Sequence, residues 1–370
     1  MVSQLQKLPT DESFGTLETV AHFDGAMLTG TTVSHQGRIF VNFPKWGDEV
    51  AFTVAEVREG RPVAYPDEAI NRTNSNDLAG TLVSVQSVVV DPVDRLWILD
   101  TGSPMFQPTQ YGGPKLVCVD LTSDRVIKTI LFPQDVALPT TYLNDVRFDL
   151  RRGTEGMAFI TDSSDQGANG IIVVDLASGE SWRKLHDHPS TKAEALSSFR
   201  PIVEGRPLLE RQPDGKTKPM QMGSDGIAIS ADGSRLYYCP LASRRLYSVA
   251  IDALVDPSID ESAVAATVID EGDRGGASDG LETDAAGSIY STNYEHNAIL
   301  RRRSGGEWET VVHDPRLLWP DTMSVAADGY LYVTANQLHR QAKYQKGKDL
   351  RQKPYTLFRV RIDAQPVLLR

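Results

Sequence analysis

Short apolar stretches that alternate with polar residues and turn around Gly or Asp dominate the chain. One unit recurs, made of an apolar strand, a tight turn, and a second strand rich in aromatic and β-branched residues. The unit occurs six times, at residues 32–42, 86–100, 144–162, 225–238, 279–290 and 321–333. No sustained 3.6-residue periodicity accompanies it, so the pattern predicts an all-β protein.

The spacing of the turns indicates how the strands are organised. The intervals between successive turn residues are 57, 59, 80, 54 and 42 residues, taking as markers Gly37, Asp94, Gly153, Gly233, Gly287 and Gly329. Repeats of this length with several short strands each are typical of propeller blades. We therefore predict a six-bladed β-propeller, with an array of β-sandwiches as the alternative.

Residues 1–370 are accordingly expected to form one propeller domain. The longest interval holds an insertion at about residues 186–223, between blades three and four, rich in turn-forming residues. A connection of this length is either a lid over the propeller mouth or a packed or solvated loop. The alternating segment 355–362 is expected to join a sheet that the N-terminal segment begins, which would close the ring.

Composition excludes several classes of function. The chain has 38 basic and 49 acidic residues and a formal net charge of −11, which argues against nucleic acid or an anionic membrane surface as a partner. No apolar run approaches the ~18 residues of a membrane span. The two cysteines, Cys118 and Cys239, are too few for a disulfide framework and are expected to be buried free thiols. We expect a monomer whose partner is a small molecule.

The N-terminal segment bears on the compartment. Residues 1–9 contain neither the apolar stretch nor the small-residue cleavage site of a secretory signal peptide. This predicts a cytoplasmic protein, and a secreted or periplasmic one if a leader has been removed.

Polar residues that open the repeats supply the candidate site. The inner strands of a propeller start at one face around the channel, so these residues should converge: Gln86, Asn144, Asp145, Asp225, Asp279 and Asp321. Carboxylate and amide oxygens gathered in this way suit Ca²⁺, Mg²⁺ or Mn²⁺, and without a cation at least one carboxyl pKa would rise. The alternative is structural, because Asp before Gly also forms turns and accepts backbone hydrogen bonds.

Aromatic residues and one histidine complete the candidates. Tyr142, Tyr294 and Trp319 could wall a pocket for a flat ligand, or serve only in packing. His296 follows a strand of blade five and could act as an acid or base at the mouth, or lie on the surface. The sequence contains no Gly-rich phosphate loop and no Gly-x-Ser-x-Gly elbow, which sets aside nucleotide-dependent and serine-hydrolase mechanisms.

Several segments resemble the Yellow / major royal jelly protein family. They are residues 142–149, 160–164, 170–175, 224–228 and above all 238–249, Tyr-Cys-Pro-Leu-Ala-Ser-Arg-Arg-Leu-Tyr-Ser-Val. The resemblance implies a six-bladed propeller that binds small amines or sterols or takes part in dopachrome conversion.

A more distant resemblance, to gluconolactonase and regucalcin propellers, implies one divalent cation over the channel. Asn144 then matches a substrate-side asparagine, Asp225 a metal-binding asparagine and Asp279 the metal-binding aspartate. The glutamate that this family takes from blade one has no counterpart in Gly30-Thr-Thr-Val-Ser34, and Tyr142 stands in place of an arginine.

These observations together predict the function and its residues. We expect a metal-assisted hydrolase or isomerase, lactonase-like or dopachrome-tautomerase-like, acting on a small oxygenated metabolite. Its catalytic residues would be Asp225 and Asp279, which with Asn144 would hold a divalent cation, Ca²⁺ or else Mg²⁺ or Mn²⁺. Its substrate-binding residues would be Asn144, Tyr142, Tyr294, His296, Trp319 and Asp321. The alternative is a non-catalytic propeller that binds an aromatic amine or a sterol-like ligand.

Overall fold

The computed structural model describes residues 12–195 and 198–370. Six four-stranded antiparallel sheets are arranged as a six-bladed β-propeller, which confirms the predicted fold class. The innermost strand of each sheet contacts the innermost strands of both neighbouring sheets, so the six blades surround a central channel. The N-terminal segment 1–11, on which the signal-peptide prediction was based, lies outside the described residues.

The strands follow the predicted repeats in chain order. β1 (Leu17–Phe23) precedes blade one, which contains β2 (Thr31–Val33), β3 (Ile39–Asn42), β4 (Val54–Arg58) and β5 (Arg61–Ala64). Blade two contains β6 (Val85–Val90), β7 (Arg95–Asp100), β8 (Lys115–Asp120) and β9 (Arg125–Leu131). Blade three contains β10 (Leu143–Asp149), β11 (Met157–Asp162), β12 (Gly170–Asp175) and β13 (Ser181–Lys184).

Two small hairpins lie between blades three and four. They are formed by β14 (Ile202–Val203) with β15 (Arg206–Pro207), and by β16 (Leu209–Arg211) with β17 (Thr217–Pro219). Blade four contains β18 (Ser224–Ile229), β19 (Arg235–Pro240), β20 (Arg245–Ala250) and β21 (Ile269–Asp273). Blade five contains β22 (Leu281–Thr283), β23 (Ile289–Asn293), β24 (Ala298–Arg302) and β25 (Trp308–His313), and blade six contains β26 (Pro320–Val325), β27 (Tyr330–Ala335) and β28 (Tyr355–Arg361).

Helices are few and short among the described residues. The α-helices are α1 (Glu68–Asn71), α2 (Ile251–Val255) and α3 (Glu261–Ala265). Single 3₁₀ turns occupy Pro104–Phe106, Pro189–Thr191, Leu338–Arg340 and Ala342–Tyr344. No helix in the described part of the chain combines the length and the apolar character that crossing a bilayer requires.

Strand β1 closes the ring in blade six. The sheet order is β26-β27-β28-β1, and β1 pairs antiparallel with β28 so that Glu18 lies opposite Arg359. Their side chains form an ion pair of 2.8 Å. The closure predicted from the alternating C-terminal segment is therefore confirmed, and blade six is held together by both ends of the chain.

The six turn markers explain the predominance of glycine in the repeats. Every marker has a positive φ, from 64° at Asp94 to 84° at Gly37 and Gly287. Glycine adopts this left-handed conformation without a steric cost. Asp94 is the exception, and its carboxylate accepts the His35 backbone N–H at 2.8 Å, which links the turns of blades one and two.

The core lies between the blades, where neighbouring sheets pack face to face. Trp97 of β7 stacks on Phe148 of β10 with ring centroids 5.2 Å apart, in one cluster of buried side chains. Similar clusters separate the other blades. Cys118 and Cys239 are buried within these clusters as free thiols, as predicted.

Two segments cover one end of the channel, and we call them the roof (residues 198–223 and 336–350). Phe199, Met220 and Met222 of the first segment and Leu338 and Tyr344 of the second share one buried cluster with the blades. At the opposite end the C-terminal tail crosses the channel, where Pro366 bridges to Asp284 and the Leu369 carbonyl accepts the Leu150 N–H at 2.8 Å. Both ends of the channel are therefore covered.

Candidate active site

Irregular pairing at the start of the inner strands places the candidate polar residues. The register between first and second strands shifts at Gln86, across Asn144 and Asp145, across Asp225 and Gly226, and across Asp321 and Thr322. Such β-bulges twist the strand and redirect side chains. The convergence predicted from the repeat openings thus has a local cause in each of these four blades.

In blade five the polar residue is positioned before the inner strand begins. The backbone N–H groups of Asp279 and Gly280 both donate to the Thr292 hydroxyl at 3.0 Å. Thr334 accepts the Thr322 N–H in blade six in the same way, at 3.2 Å. A hydroxyl on the second strand therefore satisfies backbone donors that the ladder leaves unpaired.

The glycines that follow Asp225 and Asp279 allow neighbouring blades to approach. A Cβ on Gly226 would lie 2.4 Å from the Asp279 carbonyl oxygen, and one on Gly280 would lie 2.2 Å from the Asp321 carbonyl oxygen. Neither glycine has a positive φ. These two glycines are therefore required by close packing around the channel and not by a left-handed turn.

A chain of short hydrogen bonds joins four of the predicted residues. The Asn144 Nδ2 donates to Asp225 Oδ1 at 2.5 Å. The carboxyl groups of Asp225 and Asp279 are hydrogen-bonded to each other. Asp279 Oδ2 also accepts the indole N–H of Trp319 at 2.6 Å. Asn144, Asp225 and Asp279 are 8%, 2% and 7% exposed, so this network is shielded from bulk water.

Burial is the main cause that raises the pKa values of these two carboxyls. Burial raises the pKa of Asp225 well above its ordinary value, and the charge and hydrogen bond of Asp279 raise it further. Burial also raises the pKa of Asp279, to about 6, although the hydrogen bonds from Trp319 and Asp225 oppose the rise. The pKa of Asp225 is raised further than that of Asp279, as expected for two adjacent buried carboxyls that do not ionise independently.

Asp321 belongs to the same electrostatic cluster. Burial and the charge of Asp279 raise its pKa well above the ordinary value. Its Oδ2 accepts the Asn336 amide N–H at 2.6 Å. Asp145 pairs with Arg147 at 2.8 Å and accepts the Ser87 hydroxyl at 2.6 Å, and its charge also raises the pKa values of Asp279 and Asp321.

The three predicted aromatic residues lie around these carboxyls. Trp319 stacks on Tyr294 with ring centroids 4.1 Å apart and an 8° angle, and both are fully buried. The Tyr294 hydroxyl donates to the Leu241 carbonyl at 2.7 Å. The Tyr142 hydroxyl donates to Gln86 Oε1 at 3.0 Å and accepts the indole N–H of Trp46 at 2.7 Å.

His296 differs from the other predicted site residues. It is exposed, and its backbone N–H donates to the Asn293 side chain at 3.2 Å. Its imidazole lies at the surface, outside the buried carboxyl network.

The hydrogen bonds of this network do not fit the divalent-cation site that the distant resemblance implies. Asn144 directs its N–H, not an oxygen, at Asp225, and Asp279 gives one oxygen to the Trp319 indole. In blade one, Gly30-Thr-Thr-Val-Ser34 supplies no carboxylate. No cluster of three or more His, Cys, Asp or Glu suited to a metal occurs among the described residues.

Sequence reasoning missed the residues of the roof and the mouth. His339, in the 3₁₀ turn Leu338–Arg340, stacks on Trp319 at 5.8 Å and contacts Glu204 at 2.9 Å through its Nε2. Trp46 and Phe106 extend the aromatic surface of Tyr142 toward solvent. The double positive φ at Met105 and Phe106 belongs to an irregular loop that no repeat pattern could reveal.

Solved structures with the same architecture cover nearly the whole chain. They include a calcium-binding protein, regucalcin, from Agrobacterium tumefaciens (TM-score 0.56, 15% identity, 94% of this chain and 95% of that chain). A gluconolactonase from Xanthomonas campestris has a TM-score of 0.53 and 13% identity, and covers 96% of this chain and 98% of its own. At these identities the likeness shows the class of fold alone, a six-bladed β-propeller.

Within that class the chain belongs to the major royal jelly protein family, whose profile matches residues 83–366. Major royal jelly protein 1 of Apis mellifera is 28% identical over 202 residues, 52% of this chain and 42% of the relative. Protein yellow of Drosophila melanogaster is 28% identical over 249 residues, 62% of this chain and 42% of the relative. The chain thus spans less than half the length of these relatives, and the family resemblance stated from the motifs is confirmed.

Proposed function

We propose that this propeller is an acid–base enzyme that moves a proton on a small oxygenated metabolite in the channel, as an isomerase of the tautomerase type. The observation that carries the proposal is the hydrogen-bonded Asp225–Asp279 pair, with Asp279 at a pKa of about 6. A general base works best when its pKa is near the operating pH. A neighbouring protonated carboxyl supplies the matching acid.

The proton transfers balance without a co-reactant. The Asp279 carboxylate takes a proton from the carbon next to a substrate carbonyl, while the Asp225 O–H donates its proton to the carbonyl oxygen, giving the enol. Asp279 then gives its proton to a different carbon of the conjugated enol while Asp225 takes the enol O–H proton back, which completes an isomerisation and restores both carboxyls. Asn144, which donates to Asp225 at 2.5 Å, and Trp319, which donates to Asp279 at 2.6 Å, hold the two groups in their roles.

The cation expected from the distant resemblance has no part in this mechanism. Its three predicted ligands are engaged with N–H donors and with each other, as described above. A calcium titration by calorimetry tests this directly, since stoichiometric binding that Asp225→Asn abolishes would contradict the assignment of Asp225 as a proton donor.

Deuterium exchange tests the proposed chemistry without knowledge of the product. Carbonyl compounds, lactones and quinones are incubated in D₂O, and exchange at carbon is followed by NMR. We expect at least one class of compound to exchange, and we expect the exchange rate to fall by about 100-fold or more in Asp279→Asn and in Asp225→Asn. Asp232→Asn is the matched control, since Asp232 lies in the distal turn of the blade that carries Asp225 and accepts the Ser234 N–H at 2.9 Å. No exchange with any class would refute the proposal.

A second candidate, a non-catalytic small-ligand propeller, is favoured by the roof. The carboxyls are nearly inaccessible beneath it, as expected for a binding protein that traps its ligand. Thermal-shift screening with aromatic amines and sterols distinguishes the two, because a ligand that binds the folded state raises its melting temperature. Stabilisation by such ligands without any exchange would favour the binding protein.

A further inference from the structure

The second segment of the roof begins directly beside the carboxyl cluster. The Asn336 backbone N–H donates to the Trp319 carbonyl at 3.2 Å, and the Asn336 side chain donates to Asp321 at 2.6 Å. Three residues further on, the buried His339 ring stacks on the Trp319 ring with centroids 5.8 Å apart. The Trp319 indole donates in turn to Asp279 at 2.6 Å. A single side chain therefore separates His339 from the proposed base.

The first segment of the roof reaches His339 through one carboxylate. Glu204 lies 2.9 Å from His339 Nε2 and also pairs with Arg340. The hydrogen bonds from these two side chains hold the pKa of Glu204 well below its usual range, so its carboxylate is ionised and can only accept. The His339 Nε2 therefore carries the hydrogen of this contact. Glu204 thus joins the two roof segments at the ring that touches Trp319.

The buried position of His339 depends on this contact. Its Nδ1 atom is buried and has no hydrogen-bond partner among residues 12–195 and 198–370. Because a buried polar atom without a partner is unfavourable, the ring gains a hydrogen bond to water when it turns outward. The stack on Trp319 and the contact with Glu204 oppose that rotation. Removal of Glu204 therefore favours a His339 that has left the stack.

Trp319 needs the support of its neighbours. Its φ of 61° is a left-handed conformation that a bulky residue keeps only where surrounding contacts hold it. Those contacts include the stacks on Tyr294 and on His339. A hydrogen bond weakens steeply as its angle departs from linear, so a small displacement of the indole weakens its bond to Asp279.

The first roof segment is packed less tightly than the blades. Its regular structure consists of two hairpins with strands of two or three residues. A cavity of about 250 Å³ lies among its own side chains, including Phe199, Leu208 and Met220. Segments with few packed contacts open locally at a low cost in free energy. Since the carboxyl pair is nearly inaccessible beneath the roof, we expect this segment to lift when a ligand enters.

We propose that His339 is a positioning residue that couples closure of the roof to the proposed base. While the roof is closed, Glu204 holds the imidazole against Trp319, and the indole N–H stays on Asp279. When the first segment lifts, Glu204 leaves, His339 turns out of the stack, and the hydrogen bond to Asp279 weakens. The base is therefore held in place for proton transfer only beneath a closed roof. The proposal rests on the proposed function for the role of Asp279, whereas the coupling itself requires no turnover.

The hydrogen exchange rate of the Trp319 indole N–H, measured by NMR, reports this hydrogen bond without a substrate. The resonance is assigned by its loss in Trp319→Phe. Glu204→Ala should raise the rate by about 2- to 5-fold, the effect that loss of a partly exposed ion pair has on an equilibrium. Asp214→Ala is the matched control, because Asp214 lies at an exposed hairpin tip of the same segment. The Trp97 indole, which donates to Asp91 at 2.9 Å, is the internal reference, and its unchanged rate shows that the fold is retained.

A double-mutant cycle shows whether Glu204 acts through His339. His339→Phe keeps a ring for the stack and cannot bind Glu204, so in that background Glu204→Ala should not change the Trp319 rate further. An equal effect of Glu204→Ala in both backgrounds, or no effect in the native one, would overturn the proposal. Deuterium exchange at substrate carbon combined with an uncoupled indole would overturn this proposal alone. A coupled indole without exchange of any carbon compound would support the coupling and refute the proposed function.

Discussion

Replacing Trp319 by Phe isolates one hydrogen bond of the carboxyl pair. The indole N–H donates to Asp279 Oδ2 at 2.6 Å, while the ring stacks on Tyr294 at 4.1 Å. Phe keeps an aromatic ring for the stack and removes the donor. Because the donor stabilises the ionised form of Asp279, its loss must raise the pKa of that carboxyl.

The size of the change follows from the strength of such a bond. A hydrogen bond to a charged group contributes about 1.5–3 kcal/mol, and one pKa unit corresponds to about 1.4 kcal/mol. The pKa of Asp279, about 6 in the native chain, should therefore rise by about one to two units in Trp319→Phe. The acid limb of the exchange rate against pH should move upward by the same amount.

The assay is a pH titration of the folded protein with ¹³C-labelled aspartate, followed by NMR, together with the exchange rate where a substrate is known. Tyr294→Phe is the matched control, because its hydroxyl donates to the Leu241 carbonyl and not to a carboxyl of the pair. An Asp279 pKa that stays at its native value in Trp319→Phe, or that rises equally in Tyr294→Phe, would refute the reasoning.

Three further predictions concern packing, pH and the roof. Gly226→Ala should destabilise the fold by about 1–3 kcal/mol or more, because the new Cβ would lie 2.4 Å from the Asp279 carbonyl oxygen. Gly25→Ala is the control, since a Cβ there has no atom within 4 Å and should leave the stability unchanged. Thermal melts measure both. Since the folded pKa of Asp279, about 6, exceeds the ordinary value of 3.8, its contribution to stability falls as pH rises from about 4 to about 6, by up to about 3 kcal/mol. The melting temperature of Asp279→Asn should therefore lie closer to that of the native chain at pH 5 than at pH 7, and should exceed it at pH 7. An equal difference between the two melting temperatures at both pH values would contradict this. Glu204→Gln weakens the contact with His339, which joins the two segments of the roof. Amide hydrogen exchange in residues 198–223 should therefore become faster. Unchanged protection would show that other contacts hold the roof.

The repeat pattern predicted the architecture because the same physical constraint acts in every blade. The turn between the first two strands of each blade contains at least one residue with a positive φ, and that constraint leaves glycine or aspartate in every repeat. Ring closure was predictable for a similar reason, since the alternation of β28 leaves an edge that needs a partner. The convergence of Asn144, Asp225 and Asp279 was likewise predictable, because the inner strands of a propeller begin at the same face of the ring.

The remaining features depend on contacts between distant segments. The close packing that requires Gly226 involves a carbonyl of the next blade, and local sequence favours a turn there equally well. Asp279 accepts a hydrogen bond from the indole of Trp319, which is 40 residues away along the chain. Phe106, between β7 and β8, and Lys343, between β27 and β28, meet at the mouth from different blades and share no motif.

The titration of the carboxyl pair tests the central claim most directly. In the native chain, ¹³C-aspartate NMR should show one carboxyl that titrates near pH 6 and a second that stays protonated at neutral pH, assigned by Asp279→Asn and Asp225→Asn. Each substitution should also shift the titration of the remaining partner, because the two groups share a proton. If both carboxyls titrate independently near the ordinary aspartate value of 3.8, the pair holds no shared proton and the proposed acid–base function is contradicted.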